Sequence, residues 1–434
     1  MKVFDVWNQR FKAKRHMEKN KNELSRRKFM EIGSVAAATT AGVLLTGVAS
    51  AQSSTPGVKT GRSTSLTDPG PTDKSLDSAN PDSNQPPLSD AGGVATFKYP
   101  FSLSNKRVYE GGWSREITVR ELPVSKAMAG VNMRLNAGGV RELRWHTAAE
   151  WAIMLYGSTR ITAVDADGRS FVRDTQKGDL WYFPPGIPHS IQGLGPDGGE
   201  FLLVFDDGSF SEYATVLLSD IAAHTPGDVL AKNFGITQPS LQTLRKEELF
   251  IFQAPVPGAL AADQKVAAGK LPPSSQEFSF RTSQQRPTKT TSGGEVLIID
   301  SNTFKVSTTV AAAIVTLHPG GLRELHWHQN ADEWQYYISG KGRMTVVDTG
   351  ARARTMDFQA GDVGYVQQTL AHYIENTGND DLRFLEMFKA SRYEDLSLSV
   401  WLAHTPPELV MAHLNIDRQT YDAIPMEKPV IMPR

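Results

Sequence analysis

The chain repeats itself. From Gly111 onward its landmarks recur at an offset of about 182 residues, and a period of that length marks two copies of one folding unit. Gly111-Gly112 matches Gly293-Gly294, and Gly139-Val-Arg141-Glu142-Leu143 matches Gly321-Leu-Arg323-Glu324-Leu325. Trp145-His146 matches Trp327-His328, Glu150-Trp151 matches Glu333-Trp334, Gly178-Asp179 matches Gly361-Asp362, and His189 matches His372. Ala223-His224-Thr225-Pro226 returns as Ala403-His404-Thr405-Pro406. This last pair reads as a helix start with threonine as N-cap and proline in the first turn, so His224 and His404 read as structural.

Between the landmarks the texture is β. Ile161–Asp165, Met344–Asp348 and Phe201–Phe205 alternate or run apolar and are separated by Gly, Asp and Asn turns. Many short strands in two equal units predict an all-β fold of two tandem antiparallel jelly-roll barrels. The expected limits are 93–253 for the first unit and 291–434 for the second, joined by a Pro-, Ser- and Gln-rich linker over 254–290. Long helices are expected only after each barrel, near Asp220–Asn233 and Ser397–Leu414.

The chemistry sits in the second copy. His326 and His328 are two residues apart, and alternate residues of a strand point to one face, so both imidazoles project together. Glu333 follows close enough to come back beside them, and His372 lies on a later strand-like segment. Three imidazoles and a carboxylate leave positions open on an octahedral divalent cation, as a catalytic metal needs. Nitrogen and oxygen donors without sulfur suit Mn, Fe, Zn or Ni alike.

Composition narrows the class. The chain has 434 residues, 40% hydrophobic and 21% charged, with net charge −1, and no basic run outside the N-terminus, which excludes nucleic acid as the expected partner. The absence of cysteine removes disulfides, thiolate ligands and a cysteine nucleophile. The basic segment Lys2–Lys28 contains Ser25-Arg26-Arg27-Lys28-Phe29, and a moderately apolar run Ile32–Val48 follows, closed by Ala49-Ser50-Ala51. Residues 1–51 therefore resemble a twin-arginine export signal cleaved after Ala51. Export to the periplasm or beyond is expected, with no stable membrane span afterwards. Residues 52–92 are rich in Ser, Thr, Pro, Gly and Asp and read as a disordered tether.

The motifs then carry a resemblance. Gly320, His326, His328, Glu333 and Gly340 stand at the fixed spacings of the first cupin motif. Gly361, His372 and Asn376 resemble the second, with Gln367 and Thr369 where that motif has Pro and Gly; in the first copy Gly178, Pro184, Gly186 and His189 fit it. Arg-Glu-Leu-His-Trp-His, Glu-Trp-Gln-Tyr-Tyr-Ile-Ser-Gly and Gly-Asp-Val-Gly-Tyr-Val resemble the bicupin oxalate decarboxylases from about Phe97 to the C-terminus. The resemblance implies Mn(2+) in the barrels, dioxygen as co-catalyst, conversion of oxalate to formate and CO2, and, by analogy, a homo-oligomer. It also implies roles for Arg323, near the ligands and able to hold a substrate carboxylate, and for its first-copy partner Arg141. Glu386 interrupts the apolar Phe384–Phe388 strand, so a barrel-facing carboxyl with a raised pKa is expected there as the proton carrier. Its first-copy counterpart is Leu203. Ser211-Glu212-Tyr213 matches a lid segment that supplies a glutamate to the N-terminal site, with Tyr213 in place of the usual Asn and Arg392 opposite Glu212 in the second copy.

The first copy departs at one position. Arg144 stands where the first ligand histidine belongs, and a guanidinium has no lone pair to give. Three outcomes are open. Arg144 turns away and leaves His146, Glu150 and His189 as a weaker site, or pairs with Glu150 in a metal-free pocket, or binds an anion directly. The expectation is a weakened or empty first site, with chemistry at the second. Competing readings are an oxalate oxidase that yields peroxide and a binding or storage bicupin.

Overall fold

A computed structural model describes residues 73–84 and 86–432. The export signal expected over 1–51 lies outside the described residues. The expected tether, 52–92, carries short helices in its described part. Asp73 caps Lys74–Ala79 by accepting from the amides of Ser75 and Leu76, and Asp82 accepts from the amide of Asp357 in the second barrel. Backbone caps and anchoring to the barrel order this stretch where composition alone predicts none.

Two antiparallel barrels follow. The first is built around β1 (Ala129–Leu135), β2 (Gly139–Trp145), β3 (Glu150–Val164), β4 (Asp179–Phe183), β5 (His189–Gly193) and β6 (Gly199–Phe205). The second repeats it with β7 (Ala311–Leu317), β8 (Leu322–Trp327), β9 (Glu333–Ser339), β10 (Lys341–Asp348), β11 (Asp362–Val366), β12 (Ala371–Asn376) and β13 (Leu382–Phe388). β6 lies between β1 and β3 as β13 lies between β7 and β9, and β2 pairs β5 as β8 pairs β12. The first copy's β3 runs without a break through both sheets of its barrel, whereas Gly340 divides the same path into β9 and β10.

Strand alternation then decides what each barrel buries. Glu150 and Glu333 point inward; the next residues, Trp151 and Trp334, point outward into a core shared by the two barrels with Ile153, Tyr336, Leu202 and Leu385. The contact is close enough that a Cβ on Gly130 of β1 would fall 2.5 Å from the Trp334 ring. Two strands cross between the units. Lys98–Pro100 pairs with β11 of the second barrel, and Ser279–Arg281 pairs with β4 of the first.

Paired helices follow each barrel, Leu218–His224 with Gly227–Phe234 and Leu398–Ala403 with Pro407–Leu414. The longest among the described residues, Leu260–Ala268, lies in the expected linker, a correction to the expectation of helices only after each barrel. The threonine N-caps are a correction. Pro226 and Pro406 occupy the N-cap positions without side-chain capping, and Thr405 Oγ1 instead donates back to Trp401 O. His224 and His404 each bond through Nδ1 to a carbonyl one turn earlier, Asp220 O and Val400 O. Among the described residues no helix is long and apolar enough to cross a membrane.

Candidate metal centres

In the second barrel His326, His328, Glu333 and His372 are all buried, with one donor atom of each within 4.8 Å of the others. His326 on β8 faces His372 on β12 in register, and Glu333 opens β9. Each histidine is turned by a backbone carbonyl. Nδ1 of His326 donates to Glu324 O at 2.6 Å, that of His328 to Glu394 O at 2.7 Å, and that of His372 to Leu370 O at 3.0 Å. A carbonyl only accepts, so Nδ1 carries the proton and every Nε2 presents a lone pair. Nε2 of His326 and of His328 have no hydrogen-bond partner although both are buried. Glu333 Oε2 lies 2.7 Å from His372 Nε2 and 3.1 Å from His328 Nε2. Orphaned lone pairs around one carboxylate oxygen fit a divalent cation. Burial and the Arg323 charge hold the His326 pKa well below its usual value, and the neighbouring His372 and His328 hold Glu333 ionised against its burial.

Arg323 and His326 are three residues apart, and an even strand would send them to opposite faces. The β8–β12 register shifts between them, and this bulge turns both inward. The Arg323 guanidinium is engaged on all sides: Nε to Glu386 Oε1 at 3.0 Å, one terminal nitrogen to Tyr393 OH at 2.6 Å and Asp395 Oδ2 at 2.8 Å, the other to Val430 O at 3.2 Å. Lys428 closes on Asp395 from the C-terminal tail. Glu386, fully buried on β13, has its pKa raised by that burial although Arg323 opposes the shift. Asp395 is buried too, yet Arg323 and Lys428 hold it down at about 2. Sequence reading missed Tyr393, Asp395 and Lys428. The pairing of Ser211-Glu212-Tyr213 with Ser391-Arg392-Tyr393 was the signal that could have found the first two.

The first barrel has the same frame with different occupants. Arg144 faces His189 in register, the position His326 holds against His372, and a matching bulge separates Arg141 from Arg144. The structure pairs Arg144 with Glu150: its terminal nitrogen lies 2.7 Å from Glu150 Oε2. The same oxygen is 3.3 Å from His146 Nε2 and 3.4 Å from His189 Nε2. The donor atoms of His146, Glu150 and His189 lie within 4.8 Å of one another, but a guanidinium reaches the carboxylate oxygen a shared cation would need. Burial and Arg144 push the His189 pKa down to about 4. Arg141 is buried with its charge over the Phe250 ring and one bond to Phe250 O; burial and Arg144 press its pKa down to about 10. Glu212 is turned onto Ser114 Oγ at 2.7 Å and Arg107 at 3.3 Å. Leu203 occupies the register position of Glu386, opposite β1 and β3.

The support of the two glutamates has also been exchanged. Glu333 Oε1 accepts from Gln335 Nε2 at 2.7 Å, and a Cβ on Gly364, beside Gln335, would meet Gln335 Oε1 at 2.7 Å. At the same two positions the first barrel has Ala152 and Trp181, and Trp181 Nε1 donates to Glu150 Oε1 at 3.0 Å.

Residues 101–242 and 280–422 each match the Cupin family. The oxalate decarboxylase OxdC of Bacillus subtilis (strain 168) is 52% identical over 357 residues, covering 82% of this chain and 91% of that protein. The chain is a bicupin oxalate decarboxylase. A probable oxalate decarboxylase of Arthroderma benhamiae is 40% identical over 368 residues, covering 84% of this chain and 90% of its own. A solved structure of the Bacillus subtilis oxalate decarboxylase, from work on its Mn(II) centres, superposes with a TM-score of 0.80 at 50% identity, over 84% of this chain and 96% of that one. The bicupin family therefore accounts for the repeat, the fold and the ligand spacing together.

Proposed function

We propose that this enzyme is a manganese-dependent oxalate decarboxylase, that dioxygen is its co-catalyst, and that the second barrel carries the reaction. The observation behind this reading is the pair of buried, partnerless Nε2 atoms of His326 and His328 beside Glu333 Oε2. With His372 they form a donor set without sulfur that suits Mn(2+), the metal of the Bacillus subtilis relative. When bound, manganese supplies a Lewis acid for a chelating dianion and reversible one-electron chemistry.

The surrounding residues do the rest. The carbonyl-anchored imidazoles and the Gln335-held carboxylate keep the donors aimed inward. In the net reaction the carbon–carbon bond of oxalate breaks, one carbon leaves as CO2, and the other takes a proton at carbon to become formate. Glu386 is the carrier of that proton: burial raises its pKa, and Arg323 Nε fixes its position. No electrons leave the substrate overall, so dioxygen is not consumed. Arg323, already engaged by Glu386, Tyr393 and Asp395, positions Glu386 and lends positive charge toward the substrate. Glu212, held by Ser114 and Arg107, and Arg141 take no part in this reading. Export by the twin-arginine route and assembly into a homo-oligomer complete it.

The test is product analysis of the manganese-loaded chain given oxalate in air. Formate in large excess over peroxide supports the reading. Mainly peroxide points to an oxidase, and no turnover at full loading to a binding bicupin; each contradicts it.

A further inference from the structure

The two pockets differ in charge, the first being the more positive. In the second barrel one guanidinium, Arg323, faces the carboxylates Glu333, Glu386 and Asp395, and Lys428 offsets only the last. Even with Glu386 carrying its proton, no positive charge is left over there. In the first barrel Leu203 stands for Glu386 and Thr215 for Asp395, the strands Val216–Leu217 and Leu396–Ser397 being in the same register on β2 and β8. Two buried guanidiniums, Arg141 and Arg144, then face one carboxylate, Glu150. Among the described residues no carboxylate lies within ion-pair distance of Arg141, whose polar partner is the carbonyl of Phe250. Glu142 and Glu324 do not disturb the comparison, since they match and both accept backbone amides. Glu212 and the neighbouring Glu116 are together balanced by Arg107 and Arg120.

A buried, uncompensated positive charge is costly unless an anion joins it. The first pocket also has the means to hold one. The other terminal nitrogen of Arg144, Nη1, is buried without any hydrogen-bond partner. Phe210 stacks on Phe205 and lies edge-on to His146, so the pocket wall is apolar and strengthens the attraction to that guanidinium.

We infer that the first barrel is a metal-free anion site for a small carboxylate such as formate, held by Arg144 and Arg141 in place of a metal ion. One negative charge matches the surplus, and a planar carboxylate matches the fork of a guanidinium. The inference rests on the charge balance of this pocket and holds whichever reaction the second barrel runs.

The experiment counts manganese per chain and measures equilibrium dialysis of 14C-formate against the full chain, before and after metal is stripped with a chelator. The wild-type chain is expected to hold one manganese and to retain one formate after stripping. Arg144→Met is expected to leave the manganese count unchanged and weaken chelator-resistant formate binding on the order of 10- to 100-fold, the worth of a charge-assisted bond. Arg144→His restores the histidine present at position 326 and is expected to raise manganese to two per chain and abolish chelator-resistant binding; it serves alone if the Met variant fails to fold. Two manganese ions in wild type, no formate held by the stripped protein, or stripped binding unchanged in either Arg144 variant would overturn the inference.

Discussion

Arg144 on β2 faces His189 on β5 across an antiparallel pair at the register position where, in the second barrel, His326 faces His372. One substitution at one rung changes the charge at the centre of its barrel. A lone pair becomes a fixed positive charge, and Glu150, which would otherwise be shared by histidines and a cation, is taken by a guanidinium at 2.7 Å. The frame around the rung is unchanged: the bulge, the inward glutamate and the carbonyl-held histidines recur in both copies.

Glu386→Gln keeps a carbonyl oxygen that can accept from Arg323 and removes the transferable proton. Formate production should fall by about 10² to 10⁴-fold, as for loss of a general acid. Bound manganese should stay unchanged. Formate, peroxide and metal measured on one preparation check this; a variant that makes formate at the wild-type rate excludes Glu386 as the proton carrier.

Asp395 should give the fold a pH-dependent support. Its carboxyl titrates at about 2 in the folded protein, held there against burial by Arg323 and Lys428, and near 3.9 when unfolded. A depressed acid stabilises fully above its unfolded value and loses that contribution as pH falls through its folded value. The span corresponds to roughly 2–3 kcal/mol at neutral pH. Melting curves of wild type and Asp395→Asn should therefore differ most above pH 5 and converge as pH falls from about 4 toward 2. A gap independent of pH contradicts the assignment.

Thr369 sits at φ +70°, a left-handed conformation that the matching Gly186 adopts freely at φ +77°. Both residues donate their amide to the neighbouring site histidine, His328 O and His146 O, at 2.9 Å, so the turn is held in place and the threonine bears the strain. Thr369→Gly should relieve about 1–2 kcal/mol, less the extra freedom glycine gives the unfolded chain, for a net gain of about 0.5–1 kcal/mol. Chemical denaturation checks it; a loss of stability shows that the threonine side chain contributes more than the turn costs.

Much of this was legible in the sequence. The repeat, the His-x-His spacing and the period-2 alternation locate both barrels and all four second-barrel donors, because each is a local pattern on one strand. Glu386 stood out because a lone carboxylate inside the apolar run Phe384–Phe388 is buried whichever face it takes. What stayed hidden depends on neighbours far apart in sequence. Lys428 reaches Asp395 from the tail, the Trp181–Ala152 and Gln335–Gly364 exchange crosses strands, and the Lys98–Pro100 and Ser279–Arg281 strands pair with the barrel they do not adjoin in sequence. The outcome for Arg144 was similarly open, since only the fold brings Glu150 Oε2 within its reach.

The central claim is that the second barrel performs the metal chemistry, and one paired measurement meets it directly. His328→Ala and His146→Ala are each loaded with manganese, and bound metal and formate from oxalate are determined. The account expects His328→Ala to lose both and His146→Ala to keep its manganese and its turnover. Turnover abolished by His146→Ala alone would contradict it.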